Sequence, residues 1–199
     1  MSANVWFEEV DTGLVEEIKN TVRVKNADGV SVALDNENGV IIRKPEEDLK
    51  FETFPCVSIY NKTYKPDLVR FYPYPVMVQK GSSGVPATME DPALPFNLTY
   101  QIDFWARYQE DMNEMTKSWL SKHYRTFNLN VVDDGGTKRS CNVMQEGDIV
   151  KSDLVQGKNR LYHSIITYTI WVELDSETRY NVPIVVSRDI DTTQKEGGK

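Results

Sequence analysis

Cysteine is scarce in this 199-residue sequence, which contains only Cys56 and Cys141. The two residues are far apart and show no CxxC spacing, so we expect buried, reduced thiols rather than a disulfide framework. Together with His123 and His163, the only histidines, they could in principle form a tetrahedral zinc site. The spacing of these four residues gives no support to a metal site, so ordinary core and surface roles are favoured.

Long apolar runs are also absent. No stretch of the chain approaches the roughly 20 residues that a membrane helix needs. The first ten residues, MSANVWFEEV, lack the basic and apolar regions of a signal peptide. We therefore expect a protein that is made in the cytoplasm, stays soluble and has no membrane partner.

Positive charge is in the minority. The sequence has 23 Lys and Arg residues against 30 Asp and Glu, which gives a formal net charge of -7. A protein that binds the nucleic-acid backbone needs a basic face, and here the basic pairs, such as Arg43-Lys44 and Lys138-Arg139, are isolated. The composition therefore argues against specific DNA binding.

Known catalytic and cofactor motifs are missing. The sequence has no G-x-S-x-G, GxGxxG, Walker A, HExxH or EF-hand pattern. Carboxylate pairs such as Asp133-Asp134 lie in predicted turns without a companion nucleophile, and they are interpreted as solvated loops. We expect no enzymatic activity, no cofactor and no metal. An enzyme with an unrecognised site and a monomeric module that binds a peptide or glycan are the alternatives.

The clearest pattern in the chain is the segment from Phe96 to Tyr124. Its hydrophobic period changes from two to about 3.6, which is typical of a strand that leads directly into a helix. The alternating core positions of the strand are Leu98, Tyr100, Ile102 and Phe104, and the core positions of the helix are Met112, Met115, Trp119 and Leu120. This strand and helix are the predicted centre of the fold.

A first helix is predicted from Val5 to Val22, with Gly13 expected to weaken its middle. Further strands are predicted at 30–34, 40–43, 54–60, 127–132, 138–143, 160–174 and 180–187, and residues 144–159 are expected to form a polar loop. We predict one α+β domain over residues 1–199, in which an antiparallel or mixed β-sheet is flanked by two main helices.

Residues 61–95 form a long Pro-rich excursion between predicted strands. Loops of this length are usually functional or mobile, and we expect one extended piece within it, near Tyr74 to Lys80. Residues 188–199 are predicted to be a flexible C-terminal tail.

Several aromatic residues fall outside the predicted core. Trp105, Tyr108 and Trp171 lie on the opposite strand face or beyond the strand end. Tyrosine and tryptophan are enriched at protein interfaces because they combine apolar area with a polar group. The alternative, a second core layer under the first helix, is weighed evenly with an interface.

The order of these elements resembles a known family. An amphipathic helix is followed by the strand Phe54-Pro55-Cys56-Val57-Ser58-Ile59, the Pro-rich excursion, and a Tyr-x-Ile-Asp-x-x-x-Arg strand (100–107) that leads into a helix. A Gly-Gly hairpin and a long Tyr/Ile/Val strand (162–172) complete the pattern. In this order the chain resembles the tail terminator, or tail-completion, proteins of tailed bacteriophages and their relatives in contractile injection systems.

The resemblance implies a structural virion protein of the tail or neck that is assembled in the host cytoplasm. It would form a ring, expected to be hexameric, that caps the head-proximal end of the tail tube, ends tube polymerisation and joins the tail to the neck. The expected partners are other copies of the chain, the tube protein, and the sheath and neck or connector proteins, while DNA passes through without specific binding. Another neck, sheath-contacting or baseplate role is the alternative. The long excursion departs from the smaller members of the family.

Interface anchors are commonly aromatic residues and arginine. On that basis we predict two groups of partner contacts, one at the junction of the central strand and helix and one in the excursion. They are Trp105, Arg107 and Tyr108, and Arg70, Phe71, Tyr72 and Tyr74.

Overall fold

The computed structural model of the chain describes residues 7–25, 28–34, 39–42, 54–79, 86–132, 136–156, 159–174 and 179–182. In chain order its elements are α1 (Phe7–Thr21), β1 (Arg23–Lys25), β2 (Ser31–Ala33), β3 (Val40–Ile42), β4 (Cys56–Pro66), β5 (Val76–Gln79), β6 (Ala87–Glu90), β7 (Leu94–Ala106), α2 (Gln109–His123), β8 (Thr126–Val132), β9 (Lys138–Gln156), β10 (Asn159–Leu174) and β11 (Arg179–Val182). Within these described residues, no helix is long and apolar enough to span a membrane.

Six strands form the main sheet, in the order β3-β4-β7-β10-β9-β8. The strands β3 and β4 pair in parallel, and all other neighbours in this sheet are antiparallel. Both helices contact the same face of the sheet, since Tyr100 and Phe104 of β7 reach Asp11 of α1 and Trp119 of α2. The predicted α+β class, with a mixed sheet and two helices, is confirmed for the described chain.

The chain groups into two compact units, Met1–Phe71 with Ala93–Asp175, and Tyr72–Pro92 with Ser176–Lys199. The first unit contains both helices, the main sheet and the antiparallel pair β1-β2. The second contains an antiparallel sheet in the order β11-β6-β5. The single domain over residues 1–199 stays a prediction, because this grouping does not show whether either part folds independently.

Helix α1 forms because one of its faces is apolar. Val10, Leu14 and Ile18 are fully buried at intervals of four residues, and Val22 continues the row just after the helix. The phenol of Tyr100 donates a hydrogen bond of 2.8 Å to Asp11, which satisfies the polar end of a buried ring. The predicted first helix is therefore confirmed, although its described start is Phe7 rather than Val5.

Gly13 has a packing role that its sequence position does not reveal. A Cβ atom at this position would lie 2.9 Å from Cγ1 of Val131 and 3.1 Å from the carbonyl oxygen of Asn130. Because glycine has no side chain, α1 can approach β8 this closely. The expected weakening of the helix is thus accompanied by closer contact with the sheet.

The predicted strand-to-helix segment is confirmed by β7 and α2. Its inner face is buried except at Leu120, which is half-buried, and Trp119 lies at the centre of an aromatic cluster. The indole of Trp119 donates a hydrogen bond of 2.8 Å to the hydroxyl of Tyr168, and its ring stacks on His123 with centroids 3.9 Å apart. Burial raises the pKa of Tyr168 to about 12, so this hydroxyl keeps its proton at neutral pH.

His123 links the two helices. Its Nδ1 lies 3.1 Å from the carbonyl oxygen of Trp119, and its Nε2 lies 2.9 Å from Oε1 of Glu17 in α1. Burial lowers the pKa of His123, and the hydrogen bond to Glu17 acts in the opposite direction. His123 therefore joins the C-terminal end of α2 to α1, with one ring nitrogen at a backbone carbonyl of its own helix and the other at Glu17.

The 61–95 excursion contains more regular structure than predicted. Strand β4 continues to Pro66 and pairs with β7 across a register shift between Asn61 and Thr63. The expected extended piece is β5, but β6 was not predicted. The side chains from Lys62 to Pro66 are exposed, so this part of β4 has no buried alternation for a sequence pattern to show.

The prediction of a loop over residues 144–159 is wrong, because β9 continues to Gln156 and pairs with β10. A register shift of β9 occurs between Ile165 and Thr167 of β10, where Gly147 has a φ of 66°. Main-chain pairing holds this part of β9, in which apolar residues such as Ile149 and Val150 are mixed with charged residues such as Glu146 and Asp148. The predicted last strand is present as β11, while residues 183–187 and the predicted tail lie outside the described residues.

Candidate interaction surfaces

A single carboxylate organises the turn that follows β4. Oδ1 of Asp67 accepts hydrogen bonds from the backbone N–H groups of Val69 and Arg70, at 3.1 and 3.3 Å. Oδ2 of Asp67 forms an ion pair with Nε of Arg70 at 2.7 Å. Aspartate commonly stabilises a turn by binding the backbone two residues on, so the sequence favours this conformation locally.

Arg70 connects the turn to β7. Its guanidinium donates hydrogen bonds to the carbonyl oxygen of Phe96 and to Oδ1 of Asn97, both at 3.1 Å, and it lies 5.7 Å from the centre of the Trp171 ring. The amide of Asn97 donates in turn to Asp67 at 3.3 Å. The hydrogen bond from Arg70 lowers the pKa of Asp67. The turn is therefore fixed to the main sheet at several points.

This fixed turn presents two aliphatic side chains to solvent. Leu68 is 77% exposed and Val69 is 96% exposed. We refer to residues 67–70 as the apolar turn. Single exposed hydrophobic residues are ordinary, but two neighbours on a backbone held by an ion pair are ordered before any partner arrives. Such preorganisation reduces the entropic cost of binding, so the geometry is suited to an interface anchor.

A groove lies on the face of the main sheet opposite the helices, toward its β8 edge. It has a volume of about 370 Å³ and is lined by Thr126, Phe127, Asn128, Asn142, Val143, Met144 and Trp171. None of these seven residues is charged. Trp171 is 36% exposed and Met144 is similarly exposed, so apolar surface in the groove faces solvent. We refer to it as the Trp171 groove.

The predicted contact residue Trp105 is in the interior. It is 3% exposed, its ring stacks on His163 with centroids 3.6 Å apart, and its indole donates to Oγ of Ser58 at 3.3 Å. Because its neighbour Phe104 packs against Trp119 on the helix side, Trp105 faces away from both helices. The structure therefore places Trp105 neither on the predicted contact surface nor in a layer under α1.

Arg107 and Tyr108, also predicted as contacts, are exposed. The guanidinium of Arg107 lies 5.2 Å from the centre of the Phe54 ring. Tyr108 occupies the N-cap position of α2 without a side-chain capping hydrogen bond. Their contact with a partner stays a prediction.

The other four predicted contacts divide between the two units. Arg70 and Phe71 belong to the first, where Arg70 serves the apolar turn and Phe71 is half-buried. Tyr72 and Tyr74 belong to the second, where both are exposed and their rings meet edge to face at 5.2 Å. Arg70 binds Asn97, and β7 rises roughly 26 Å from there to Trp105. The predicted residues of the first unit therefore do not form one site.

A network of polar side chains is buried on the sheet face opposite the helices. Asp103 is 1% exposed, and its carboxylate accepts hydrogen bonds from Gln101 at 2.7 Å and Ser58 at 3.4 Å. Nε2 of His163 lies 3.5 Å from the same carboxylate, and Nδ1 of His163 lies 3.2 Å from Oγ of Ser152. The sequence did not indicate this network, because Ser58, Asp103, Ser152 and His163 lie on four different strands and meet only through strand pairing.

The order Ser152, His163 and Asp103 resembles the arrangement of hydrolytic triads, which require each hydrogen bond to be made. Here Nε2 of His163 makes no hydrogen bond within the described residues. Ser152 also lies within a paired strand, whereas nucleophilic serines of α/β-hydrolases project from a sharp strand-to-helix turn. The observed geometry is that of a polar interior that supports the Trp105 ring.

The four residues considered for zinc do not come together. Burial raises the pKa of Cys56 to about 12 and that of Cys141 to about 11, so both thiols keep their protons. His123 and His163 have the separate partners described above. Within the described part of the chain, no group of three or more His, Cys, Asp or Glu side chains could hold a metal ion.

Sequence reasoning missed Leu68 and Val69. The sequence signal for the turn that contains them was the Pro66-Asp67 pair, since proline and aspartate favour turns. Exposure of the two aliphatic residues could not be inferred from it, because it depends on how Arg70 binds Asn97 in a different strand.

No protein-family model matches the chain, and no curated protein matches it. Among solved structures, the chain is similar to the sheath/tube terminator of an extracellular contractile injection system, PVC, determined by cryo-EM in the extended state. The match has a TM-score of 0.44 and 12% sequence identity, and it covers 98% of this chain and 67% of that chain. Two chains this different in arrangement and sequence need not share a function.

Proposed function

We propose that the chain is a structural subunit of a phage-like tail. Its copies assemble into a ring, expected to be hexameric, that caps the head-proximal end of the tail tube, ends tube polymerisation and joins the tail to the neck. The observation that supports an assembly role best is the apolar turn, in which Leu68 and Val69 are held exposed on a fixed backbone.

The exposed turn supports an assembly role because apolar surface in contact with water is unfavourable. When a partner covers two aliphatic side chains that were in water, the free energy falls by roughly 25 cal/mol per Å² of buried apolar area. The turn is already ordered, so little of this gain is lost in fixing its conformation. The charges of Asp67 and Arg70 are paired with each other, so the turn does not present an unpaired ion to a partner.

The proposed partners follow the resemblance in the sequence. They are other copies of the chain, the tail tube protein, and the sheath and neck or connector proteins, while DNA passes through the ring without specific binding. We propose that the protein has no enzymatic activity and is part of the virion tail after assembly in the host cytoplasm. Another neck, sheath-contacting or baseplate role belongs to the same structural class.

The test is the assembly state of the purified full chain. Sedimentation and negative-stain images are expected to show closed rings, alone or on the ends of tubes, and added protein is expected to stop tube growth. A chain that stays monomeric at high concentration and leaves tube growth unchanged would refute the proposal.

A further inference from the structure

The main sheet opens between two of its strands. Strands β9 and β10 pair with each other as far as Asn142 and Trp171. Beyond this point β9 continues to Lys138 in its pairing with β8, and β10 continues to Leu174 in its pairing with β7. The two strands therefore diverge, and within the described chain their main-chain groups no longer pair across the opening.

A pocket of about 260 Å³ lies at this opening. It is lined by residues 139–142 of β9, by residues 171–173 of β10 and by Arg70 of the apolar turn. We refer to it as the Arg70 pocket. It shares Asn142 and Trp171 with the Trp171 groove, so the pocket, the groove and the apolar turn are neighbours on one copy of the chain.

We propose that the Arg70 pocket binds a carboxylate side chain from an extended acidic segment of a partner protein. Aliphatic side chains next to this carboxylate would cover the Trp171 groove and the apolar turn. This partner is a protein other than a second copy of the chain, so the contact goes beyond the proposed ring and does not depend on it.

The guanidinium of Arg70 has donors left for such a ligand. Its Nε donates to Asp67, and its Nη2 donates to the carbonyl oxygen of Phe96 and to Asn97. Its Nη1 makes no hydrogen bond within the described residues. A carboxylate would accept from these N–H groups in charge-assisted hydrogen bonds, which are about twice as strong as neutral ones.

The charges at the pocket favour an acidic ligand. Two guanidinium groups, those of Arg70 and Arg139, line it together with one carboxylate, that of Glu173. This local excess of positive charge stands out in a chain with a net charge of -7. The carboxylate of Asp67 beside Arg70 already accepts hydrogen bonds from its own turn and from β7.

The surroundings of the pocket suit a chain segment better than a small anion. Trp171 and Met144 expose apolar surface in the adjoining groove, and Leu68 and Val69 expose more on the apolar turn. A small anion would leave this surface in water, whereas aliphatic side chains beside the carboxylate would bury it. Tryptophan and arginine are also the residue types enriched at the positions that dominate interface energetics.

Titration of the full chain with two short, capped synthetic peptides tests the proposal. One peptide alternates leucine with glutamate, and the other alternates leucine with glutamine. NMR of the Trp171 indole N–H follows binding. The glutamate peptide is expected to bind about tenfold more tightly than the glutamine peptide at low ionic strength, and this difference should shrink as salt is added.

Two neighbouring charge reversals locate the site. Arg139→Glu, in the pocket lining, is expected to weaken binding of the glutamate peptide by about tenfold or more. Lys138→Glu is the matched control, because Lys138 is exposed and does not line the pocket, and its effect should stay below about threefold. Arg139→Gln should give an intermediate loss, and thermal unfolding of each variant verifies that it is folded.

Equal affinity for the two peptides, or equal effects of the two charge reversals, would refute an acidic ligand at this pocket. Sodium acetate that binds as tightly as the glutamate peptide would identify a small-anion site and overturn the proposed segment. If neither peptide binds, the surface is not a docking site for such a segment.

Sedimentation of the wild type separates these results from the proposed function. Rings that bind no peptide would refute the acidic partner and leave the ring in place, whereas a monomer that binds the glutamate peptide would do the reverse. Peptide binding that disappears when rings form would show that a neighbouring copy covers the surface, which contradicts a separate partner.

Discussion

The two faces of the main sheet are built on different principles. On the covered face, Tyr100, Phe104 and Tyr168 are fully buried under α1 and α2, and Trp119 joins them from α2. The opposite face has a buried polar network around Asp103 at one end and the exposed Trp171 groove toward the other.

The difference between the two faces follows from the alternation of side chains along each strand. Successive side chains of β7 point to opposite faces, so Phe104 and Trp105 are neighbours in the chain but contribute to separate interiors. The covered face supplies stability through apolar burial. The open face is held by hydrogen bonds at one end, whereas at the other end Met144 faces solvent and Arg70 lies 5.7 Å from the centre of the Trp171 ring.

The largest predicted effect concerns the covered face. Trp119→Ala should lower the free energy of unfolding by about 3–5 kcal/mol, because it removes a fully buried ring and leaves the hydroxyl of Tyr168 without its donor. Urea unfolding followed by circular dichroism would measure this loss. Trp171→Ala, on the open face, is the control and should lower stability by less, because Trp171 is 36% exposed and its removal leaves no buried hydroxyl without a donor. Equal losses at both positions would show that the open face contributes as much as the covered one.

The next effect concerns the buried end of the open face. Asp103→Ala should lower the free energy of unfolding by about 1–3 kcal/mol, because Gln101 and Ser58 lose their acceptor in a buried environment. The same unfolding experiment applies. Asp153→Ala is the matched control, since Asp153 pairs with Arg160 at the surface and such pairs contribute about 0–1 kcal/mol. If the two substitutions were equivalent, the network around Asp103 would not be a stabilising interior.

The smallest effect on stability is expected at the apolar turn, where pH is the variable. Arg70 lowers the folded pKa of Asp67 below its ordinary 3.8. The turn is therefore fully stabilised above 3.8, and this stabilisation is lost as the pH falls through the lowered pKa. Protection of the Val69 and Arg70 amides against exchange, measured by NMR relative to the intrinsic rate at each pH from neutral downward, should fall only at the acid end.

Asp67→Asn is the control for this titration. Its side-chain oxygen can still accept the backbone hydrogen bonds, but the side chain does not ionise. The acid transition at the two amides should therefore disappear. A transition that persists in the variant would assign the effect to another group.

The periodic elements were predictable because burial leaves a mark on the sequence. The four-residue spacing of Val10, Leu14 and Ile18 and the period change along β7 and α2 each follow from one apolar face packed on the core. The elements that were missed lack such a mark. The outer part of β9 mixes apolar and charged residues, and it is a strand because β10 pairs with it.

The candidate surfaces were less predictable than the fold. Aromatic and arginine density pointed to Trp105 and Arg70, but Trp105 is buried against His163 and Arg70 binds groups of its own chain. A cluster of aromatic residues and arginine in the sequence indicates which side chains could anchor an interface. Whether a side chain reaches the surface depends on the strands beside it.

The sequence by itself determined the helices, the central strands and the α+β class, because their apolar periods are local properties of the chain. The tertiary structure alone decided the depth of Trp105, the close approach at Gly13 and the exposure of Leu68 and Val69. Each of these depends on a contact between residues far apart in the chain, such as that of Arg70 with Asn97 or Gly13 with Val131. Such contacts arise only when strands pair and helices pack, so no local pattern encodes them.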